Sequence, residues 1–533
     1  MTLFRCLAGG GLRRGRVRLL VAMNCHPDRC SAKPSPAAPA VASAEPRLDH
    51  QAKRRIIYGV MLAMLLGALD QTIVAAALPT IGNAFGDFVN LPWVATSYLL
   101  AGTIVTPLYG KLSDIYGRRV MLLVSVSVFT VASVACALAP NLAVLVLARG
   151  LQGVGGGGLI SLSQTIIADV VPPRERGRYQ GQIAAVFAGS SVVGPLLGGF
   201  FAQHLHWSLI FWINVPLGVA ALAASDRILR QLPRHERRHR MDYTGALLMM
   251  VASLCLLLAL SWGGALYPWG SAPILGLALA AILATGLFLR HIKVTPEPFL
   301  PLNLLTDNVL SKAFLAAFMV VGTMVGLSIF LPIYFELGRG LSASQSGLGL
   351  IPLMVGIVCG VNIVGRLLPR IAHYKRPALL GALITALALT VLGASHAQLR
   401  MEAVMGLLAV AGAGIGMVLL VCTVSIQNAA EPHLMGTATG AMTFFRQLGG
   451  ATVVAVLGAL LLAVTGAQGL GHEGSVRSTA SLAASAVEHG FSLLFAALAA
   501  VMLASFAFLW VMPEKPLRSS VRVAAETGTI GSE

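Results

Sequence analysis

Charged side chains are scarce in this sequence. Only 11% of its 533 residues are Asp, Glu, Lys or Arg, whereas about a quarter are charged in soluble globular proteins. Apolar residues make up 56% of the chain, and its mean hydropathy is +0.79. These values exclude a soluble globular protein and predict that lipid surrounds most of the chain.

Acidic residues and cysteines are also few. The 21 acidic residues face 38 Lys and Arg, which leaves a net charge of +17. The basic residues flank apolar runs instead of forming one patch, so nucleic acid is not an expected partner. The cysteines are odd in number and predict no disulfide framework, and Cys25 and Cys30 lack the second ligand pair of a metal site.

Nucleotide-binding motifs are missing. Lys111 is followed by Leu112, so the chain has no P-loop. Gly153, Gly155 and Gly158 have a dinucleotide-like spacing but lie inside an apolar run with no preceding strand. No nucleophile, base and orienting group cluster at one place in the sequence. We therefore expect no cofactor, no metal and no enzymatic activity.

Long apolar runs dominate what is present. Each is near the roughly 20 residues that a helix needs to cross a bilayer, and together they predict an all-α membrane protein with fourteen transmembrane helices. The runs lie at about residues 56–78, 92–109, 119–139, 142–166, 181–202, 209–229, 243–262, 272–291, 311–335, 345–366, 377–396, 402–427, 440–464 and 490–512.

The distribution of Lys and Arg predicts the orientation. With the N-terminus in the cytoplasm, all but five of the 38 basic residues lie on the cytoplasmic side. Arg339, Arg400 and Arg477 fall outside, and Arg149 and Arg446 fall within apolar runs. This asymmetry satisfies the positive-inside rule and places both termini in the cytoplasm.

An offset of 259 residues reveals an internal repeat. It superposes Gly153, Gly155, Gly157, Pro173, Gly177 and Gly181 on Gly412, Gly414, Gly416, Pro432, Gly436 and Gly440. Such a match predicts two related six-helix bundles, at 56–229 and 301–513, with two extra helices in the linker at 230–300. Residues 1–55 are predicted to be a disordered basic tail and 514–533 a cytoplasmic C-terminal tail.

Two opposite charges, Asp70 and Arg149, lie at similar depths in the apolar runs. A charge at mid-bilayer costs about 2.5 to 3.5 kcal/mol and normally faces a partner or a cavity. Burial favours the neutral acid and a nearby cation favours the carboxylate, so conformation or ligand can shift the balance, as a proton carrier requires. Gln152 shares the Arg149 face, which can line a cavity. The alternative is a static ion pair that holds two helices together.

Three other features have two interpretations each. Arg446 either contacts substrate or anchors its helix by reaching the headgroups. The polar segment Gly110–Arg119 is either a hinge that locks two bundles or an ordinary cytoplasmic loop. Gly194, Pro195, Gly198 and Gly199 either bend the fifth span or allow a close helix crossing, and the alternative is ordinary packing of small residues.

These segments resemble the major facilitator superfamily, specifically its fourteen-span drug:proton antiporters of the EmrB/QacA type, from about Ile56 to Pro513. The resemblance is carried by the following residues: Leu69, Asp70, Thr72, Ile73, Val74, Ala77, Leu78 and Pro79; Gly110–Arg119; Arg149, Gln152, Gly153 and Gly155; Gly194, Pro195, Gly198 and Gly199; Asn214, Val215, Pro216 and Gly218; Gly436, Thr437, Thr439, Gly440, Arg446 and Gln447. Ile115 and Ala75 depart from the family pattern. Residues 345–366 contain no carboxylate, which disfavours a strict preference for multivalent cations.

The resemblance implies a role for each site residue. Asp70 and Arg149 would couple transport to protons, and Gln152, Arg446 and Gln447 would line the substrate cavity. The following residues would control the conformational change: Gly110, Asp114, Gly117, Arg118, Arg119, Gly194, Pro195, Gly198 and Gly199. We expect an inner-membrane antiporter that exchanges protons for small amphipathic molecules. A periplasmic adaptor and an outer-membrane channel are further partners that the sequence neither requires nor excludes. The alternatives to an exporter are an importer with the same fold and a receptor that does not transport.

Overall fold

The computed structural model describes residues 50–230, 241–371, 373–465 and 484–517. Within these ranges it contains seventeen α-helices and no β-strand. The helices are α1 (His50–Phe85), α2 (Trp93–Tyr116), α3 (Arg118–Ala137), α4 (Leu142–Val170), α5 (Pro173–His204), α6 (Leu209–Trp212), α7 (Asn214–Leu229), α8 (Tyr243–Trp262), α9 (Ala272–Val294), α10 (Leu302–Thr306), α11 (Asn308–Ile333), α12 (Ala343–Leu348), α13 (Ile351–Leu367), α14 (Lys375–Ser395), α15 (Met401–Ala429), α16 (Met435–Thr465) and α17 (Ala484–Val511).

Thirteen helical segments of the described chain are long and apolar enough to cross a membrane. Helix α2 is not among them, although its 24 residues are sufficient in length. It carries polar and small residues that are buried against α4, including Gly102, Thr103 and Thr106. Helix α2 is thus the fourteenth long helix. It is less apolar than the others because much of its surface packs against protein and not against lipid.

Helix α1 begins earlier than the sequence suggests. It starts at His50, so residues 50–55, which we expected in the disordered tail, are helical. The rest of that predicted tail lies outside the described residues, as do residues 231–240 of the linker and 518–533 of the C-terminal tail. Basic residues near the start of α1, such as Lys53 and Arg54, can continue a helix beyond the apolar run because their stems are apolar.

The two related halves have the same internal packing. In the first, α4 packs on α2 and α3, and α1 packs on α5 and α7. In the second, α15 packs on α13 and α14, and α11 packs on α16 and α17. The fold is therefore that of two pseudo-symmetric six-helix bundles with α8 and α9 inserted between them in the chain.

Helices α4 and α15 show the repeat most directly. Their first residues, Leu142 and Met401, and their last, Val170 and Ala429, are each 259 residues apart. The repeated glycines also make equivalent contacts. Gly153 and Gly157 of α4 lie against the backbone of α2, and Gly412 and Gly416 of α15 lie against the backbone of α13. These glycines allow close helix packing at matching places in both halves.

The halves contact each other at one end of the bundle. The C-terminal end of α2 packs on the start of α16, and the start of α5 packs on the end of α13. A Cβ atom on Gly177 would lie 2.7 Å from Gly365 Cα. The described conformation is therefore closed at this end, which the positive-inside rule predicts to be the cytoplasmic one.

The inserted helices pack mainly on each other. Helix α8 also contacts α2 and α16, and the rings of Trp93 and Trp262 meet edge to face with centroids 5.9 Å apart. The pair therefore covers the side of the molecule where α2 meets α16.

Candidate functional site

Asp70 lies near the middle of α1 and is completely buried. Its Oδ2 atom accepts a hydrogen bond of 2.7 Å from Arg149 Nη1 of α4. Its Oδ1 atom accepts bonds from Gln152 Nε2 at 2.9 Å and from Asn214 Nδ2 at 2.8 Å. The structure thus brings the two opposite charges into direct contact and gives the carboxylate three donors.

Arg149 is held from several directions. Its Nε donates to the Val94 carbonyl at 3.1 Å, and its Nη1 also donates to Gln152 Oε1 at 2.6 Å. The guanidinium carbon lies 4.3 Å from the centre of the Tyr98 ring, a cation–π contact. With 2% of its side chain exposed, Arg149 cannot reach the headgroups, so Asp70 is its counter-charge.

Gln152 is part of this network and does not line an open cavity in the described conformation. It is completely buried, and its Nε2 also donates to Ser133 Oγ of α3 at 2.8 Å. Its spacing of three residues from Arg149 was the basis for placing it on a cavity wall. The same spacing instead lets its amide bond both charged side chains, because residues three apart are neighbours on a helix.

Sequence reasoning assigned no role to Asn214, Tyr98 or Ser133. Asn214 is the first residue of α7 and is fully buried, with its Oδ1 atom lacking a hydrogen-bond partner. An asparagine inside an apolar run was the available signal, since a buried amide needs partners. No comparable signal marks Tyr98 or Ser133, because such residues are common in membrane helices.

Asp114, near the end of α2, caps the start of α16 in the other half. Its carboxylate accepts hydrogen bonds from the backbone N–H of Gly436 at 2.9 Å and of Thr437 at 2.7 Å. The Thr437 hydroxyl adds a third bond at 2.6 Å. A carboxylate at a helix N-terminus satisfies unpaired N–H groups and complements the helix dipole.

Arg118 and Arg119 hold this region together on the first half. Arg118 bonds Asp114 and, through Nε at 2.8 Å, Asp169 at the end of α4. Arg119 pairs with Asp226 of α7. The predicted turn Gly110–Arg119 is mostly helix, however, because α2 continues to Tyr116 and only Gly117, with φ of 90°, separates it from α3. A positive φ is open to glycine at little cost, which explains the sharp turn at this residue.

Gly110 is the point of closest approach between α2 and α16. A Cβ atom there would lie 3.0 Å from the carbonyl carbon of Gly436 and 3.2 Å from Gly440 Cα. Only a residue without a side chain fits this contact.

The glycines of α5 divide into two groups. Gly194 and Gly198 lie against α1 at Thr72 and Ile73, whereas a Cβ on Gly199 would meet open space and Pro195 is exposed. Helix α5 runs unbroken through Pro195. Helices α5 and α1 therefore cross closely at Gly194 and Gly198, and Pro195 does not interrupt α5.

Arg446 and Gln447 lie on α16, away from the Asp70 network. Arg446 Nη2 donates to the Leu419 carbonyl at 3.2 Å and to Thr423 Oγ1 at 2.6 Å, both on α15. Helix α16 starts at Met435, so Arg446 lies about three turns in, and its guanidinium bonds protein instead of reaching headgroups. Helix α16 begins before the apolar run, so Arg446 lies further into the helix than that run suggests.

The described residues contain no group of three or more His, Cys, Asp or Glu side chains that could hold a metal ion. Their four cysteines, Cys136, Cys255, Cys359 and Cys422, are free thiols.

Comparisons with known proteins identify the family. The model of the Major Facilitator Superfamily matches residues 60–454. The Multidrug resistance protein 3 of Bacillus subtilis is 32% identical over 404 residues, which cover 76% of this chain and 78% of that protein. The Multidrug transporter protein MdtP of the same organism is 34% identical over 420 residues, covering 78% of this chain and 77% of its own.

One relative is longer than this chain. An uncharacterized MFS-type transporter of Mycobacterium tuberculosis is 37% identical over 429 residues, which are 80% of this chain and 62% of that protein.

Solved structures show the same fold. The human organic anion transporter MFSD10 has a TM-score of 0.58 at 17% identity, covering 86% of this chain and 99% of its own. A xylose transporter XylE variant has a TM-score of 0.59 at 17% identity, covering 87% and 97%. The chain therefore belongs to the major facilitator superfamily of membrane transporters.

Proposed function

We propose that this protein is a proton-coupled antiporter that exports small amphipathic molecules across the cytoplasmic membrane by alternating access. The observation that carries the proposal is the buried Asp70 carboxylate, bonded by Arg149, Gln152 and Asn214 inside the membrane. An intramembrane acid with a cationic partner is a typical element of proton pathways. The Bacillus relatives named as multidrug proteins support the substrate class.

Asp70 would carry the proton, and Arg149 would set how readily it is released. While Asp70 is ionised, the salt bridge ties α1 to α4. A proton on Asp70 would remove the charge that Arg149 faces and weaken that tie, because an uncompensated buried cation is unstable. Proton binding and helix position would then be coupled, as alternating access requires.

Movement is necessary for this mechanism. The Asp70 side chain has no exposed surface in the described conformation, so protons cannot reach it until neighbouring helices rearrange. The contacts of α2 with α16 and of α5 with α13 close the assigned cytoplasmic end. We take residues 56–229 and 301–513 as the two bundles that rock about the central axis. A static ion pair would need no such exposure, and this difference is testable.

The test uses everted membrane vesicles acidified inside, with three amphipathic probes: the cation ethidium, the uncharged N-phenyl-1-naphthylamine and the anion 8-anilinonaphthalene-1-sulfonate. An exporter loads at least one probe against its gradient, and an importer loads none. We expect Asp70→Asn to lower this pH-driven loading about tenfold or more, a loss worth roughly 1.4 kcal/mol or more, with unchanged protein in the membrane. Asp87→Asn, in the loop after α1, is the matched control and should load normally. Normal loading by Asp70→Asn would leave only the static ion pair.

A further inference from the structure

The membrane interior of this protein contains an uncompensated positive charge. Asp70 and Arg149 neutralise each other in the first half. Arg446 of α16 has no carboxylate partner among the described residues, and its hydrogen bonds go to a carbonyl and a hydroxyl group of α15. The repeat gives no counterpart either, since the equivalent position in α5 is Phe187.

The guanidinium of Arg446 is only partly used by the protein. Its Nη2 atom makes both hydrogen bonds to α15, and its Nε is buried without a partner. A guanidinium has five N–H donors arranged as a planar fork. Donors therefore remain on Arg446, and a planar acidic group can accept bonds from such a fork. The adjacent Gln447 also has a buried, unpartnered Oε1.

The surroundings of Arg446 place it toward the other half of the protein. Its partner Thr423 lies one helical turn before Gln427 on the same face of α15. Gln427 Oε1 accepts a hydrogen bond of 3.5 Å from Arg176 of α5, so this face of α15 points at the first half. The charge of Arg446 thus lies close to the plane along which the two bundles separate.

A lone cation in the membrane is unfavourable unless something compensates its charge. We infer that Arg446 binds the acidic group of the transported molecule, and that the substrates are amphipathic anions bearing a carboxylate, sulfonate or acidic phenol. A cationic substrate finds no free acid here, because both oxygens of Asp70 are already bonded. This inference rests on the proposed export function and specifies its substrate class.

A matched pair of probes isolates the acidic group. 8-Anilinonaphthalene-1-sulfonate and N-phenyl-1-naphthylamine share one aromatic skeleton, and only the first carries a sulfonate. Binding to the full-length protein in lipid nanodiscs is measured by quenching of its tryptophan fluorescence, with empty nanodiscs subtracted. We expect the sulfonate to bind about tenfold or more tightly than the uncharged probe, which corresponds to about 1.4 kcal/mol.

Variants of Arg446 separate substrate binding from a structural role. Arg446→Gln should remove the preference for the sulfonate, and Arg446→Lys should keep part of it because the charge remains. Arg290→Gln, at the exposed end of α9, should leave the preference unchanged. If Arg446 only ties α16 to α15, Arg446→Gln lowers thermal stability and leaves the ratio of the two Kd values as in the wild type, which overturns the inference.

Two further outcomes also overturn it: a wild-type protein that binds the sulfonate no more tightly than the uncharged probe, or one that binds ethidium more tightly than the sulfonate. The binding measurement uses no pH gradient, so it is independent of proton coupling. Failure of the export proposal appears in vesicle loading by wild type and Asp70→Asn, whereas failure of this inference appears in the Kd ratio alone.

Discussion

Asp242 lies outside the membrane spans and joins several segments through hydrogen bonds to its carboxylate. It caps α8 by accepting a bond of 2.8 Å from Gly245 N–H, and it also accepts bonds from His291 of α9 and from Phe299 N–H. One side chain thereby joins both inserted helices to the segment that leads into α10. Partial burial raises the pKa of Asp242, but these hydrogen bonds outweigh it and hold the pKa below its usual value of 3.8.

The lowered pKa gives a prediction with a defined sign. An acid with a depressed folded-state pKa adds stability above its unfolded value, and that stability is lost as the pH falls through the folded value. Asparagine can still cap a helix, but it is uncharged and has one acceptor oxygen where Asp242 uses two. Asp242→Asn should therefore destabilise the protein at pH 7 by about 1 to 2 kcal/mol. The difference from wild type should shrink below pH 3.8. Thermal unfolding of both proteins across this pH range measures it.

The control for Asp242→Asn is Asp87→Asn, since Asp87 bonds Asn90 and the Val89 backbone within its own loop and joins no helices. It should change stability little at any pH. A difference between wild type and Asp242→Asn that persists undiminished at pH 2 would show that shape, and not the carboxylate charge, is responsible.

At the residue scale, the sequence indicated which charged residues have a role but not which residues form their hydrogen bonds. Asp70 and Arg149 stood out because charge inside an apolar run is rare and calls for a counter-charge. The sequence could not show that Asn214 and Gln152 donate hydrogen bonds to the Asp70 carboxylate. The direction in which their side chains point depends on how each helix is rotated about its axis, which one sequence does not define. The position of Arg446 within α16 could not be read from the apolar run alone, because a helix can begin before its apolar run.

Helices α2 and α16 form the element pair that determines closure at the assigned cytoplasmic end. Their contact depends on Gly110, which faces the backbone of Gly436 and Gly440. Gly110→Val should force the helices apart, because the added atoms would meet backbone that cannot move aside as a flexible side chain can. The expected result is a shift away from the closed conformation, with loss of pH-driven loading and normal membrane insertion.

Distances between spin labels test this shift. Labels at positions 116 and 431, on exposed residues beside the contact, are measured by double electron–electron resonance in a background without the 7 native cysteines. The distance should lengthen in Gly110→Val. Gly286→Val on α9, where a Cβ meets open space, should leave it unchanged. An unaltered distance in Gly110→Val would contradict the proposed need for close approach.

The elements themselves were largely predictable. The repeat at 259 residues assigned α4 and α15 to equivalent places, and the bounds of the two helices agree with that offset. The polar segment after Gly110 was less predictable, because charge suggested a turn while Leu112, Ile115 and Tyr116 continue a helix. The end of an apolar run predicts where a helix leaves the lipid. Helix α2 continues beyond the end of its apolar run.

At the scale of the whole molecule, the α2–α16 and α5–α13 contacts between the halves are related by the repeat but differ in chemistry. Gly177 and Gly436 are equivalent residues, and each lies against the opposite half. The position equivalent to Asp114 is His373, which pairs with Glu514 and not with α5. The carboxylate cap on a helix of the opposite half is thus present at α16, and the α5 contact relies on close packing.

This asymmetry leads to a prediction about the motion of the halves. Asp114→Asn removes the charge that caps α16 and bonds Arg118, so the closed state should lose roughly 1 to 3 kcal/mol relative to open ones, as for other charge-assisted hydrogen bonds. If each half moves as a rigid body, both contacts must open together, although only one was altered.

One label pair at positions 116 and 431 reports on α2 and α16, and a second at 174 and 370 reports on α5 and α13. Longer distances in both pairs support rocking of two bundles, whereas a change confined to the first pair would show local fraying of α2 and remove the mechanical basis for alternating access.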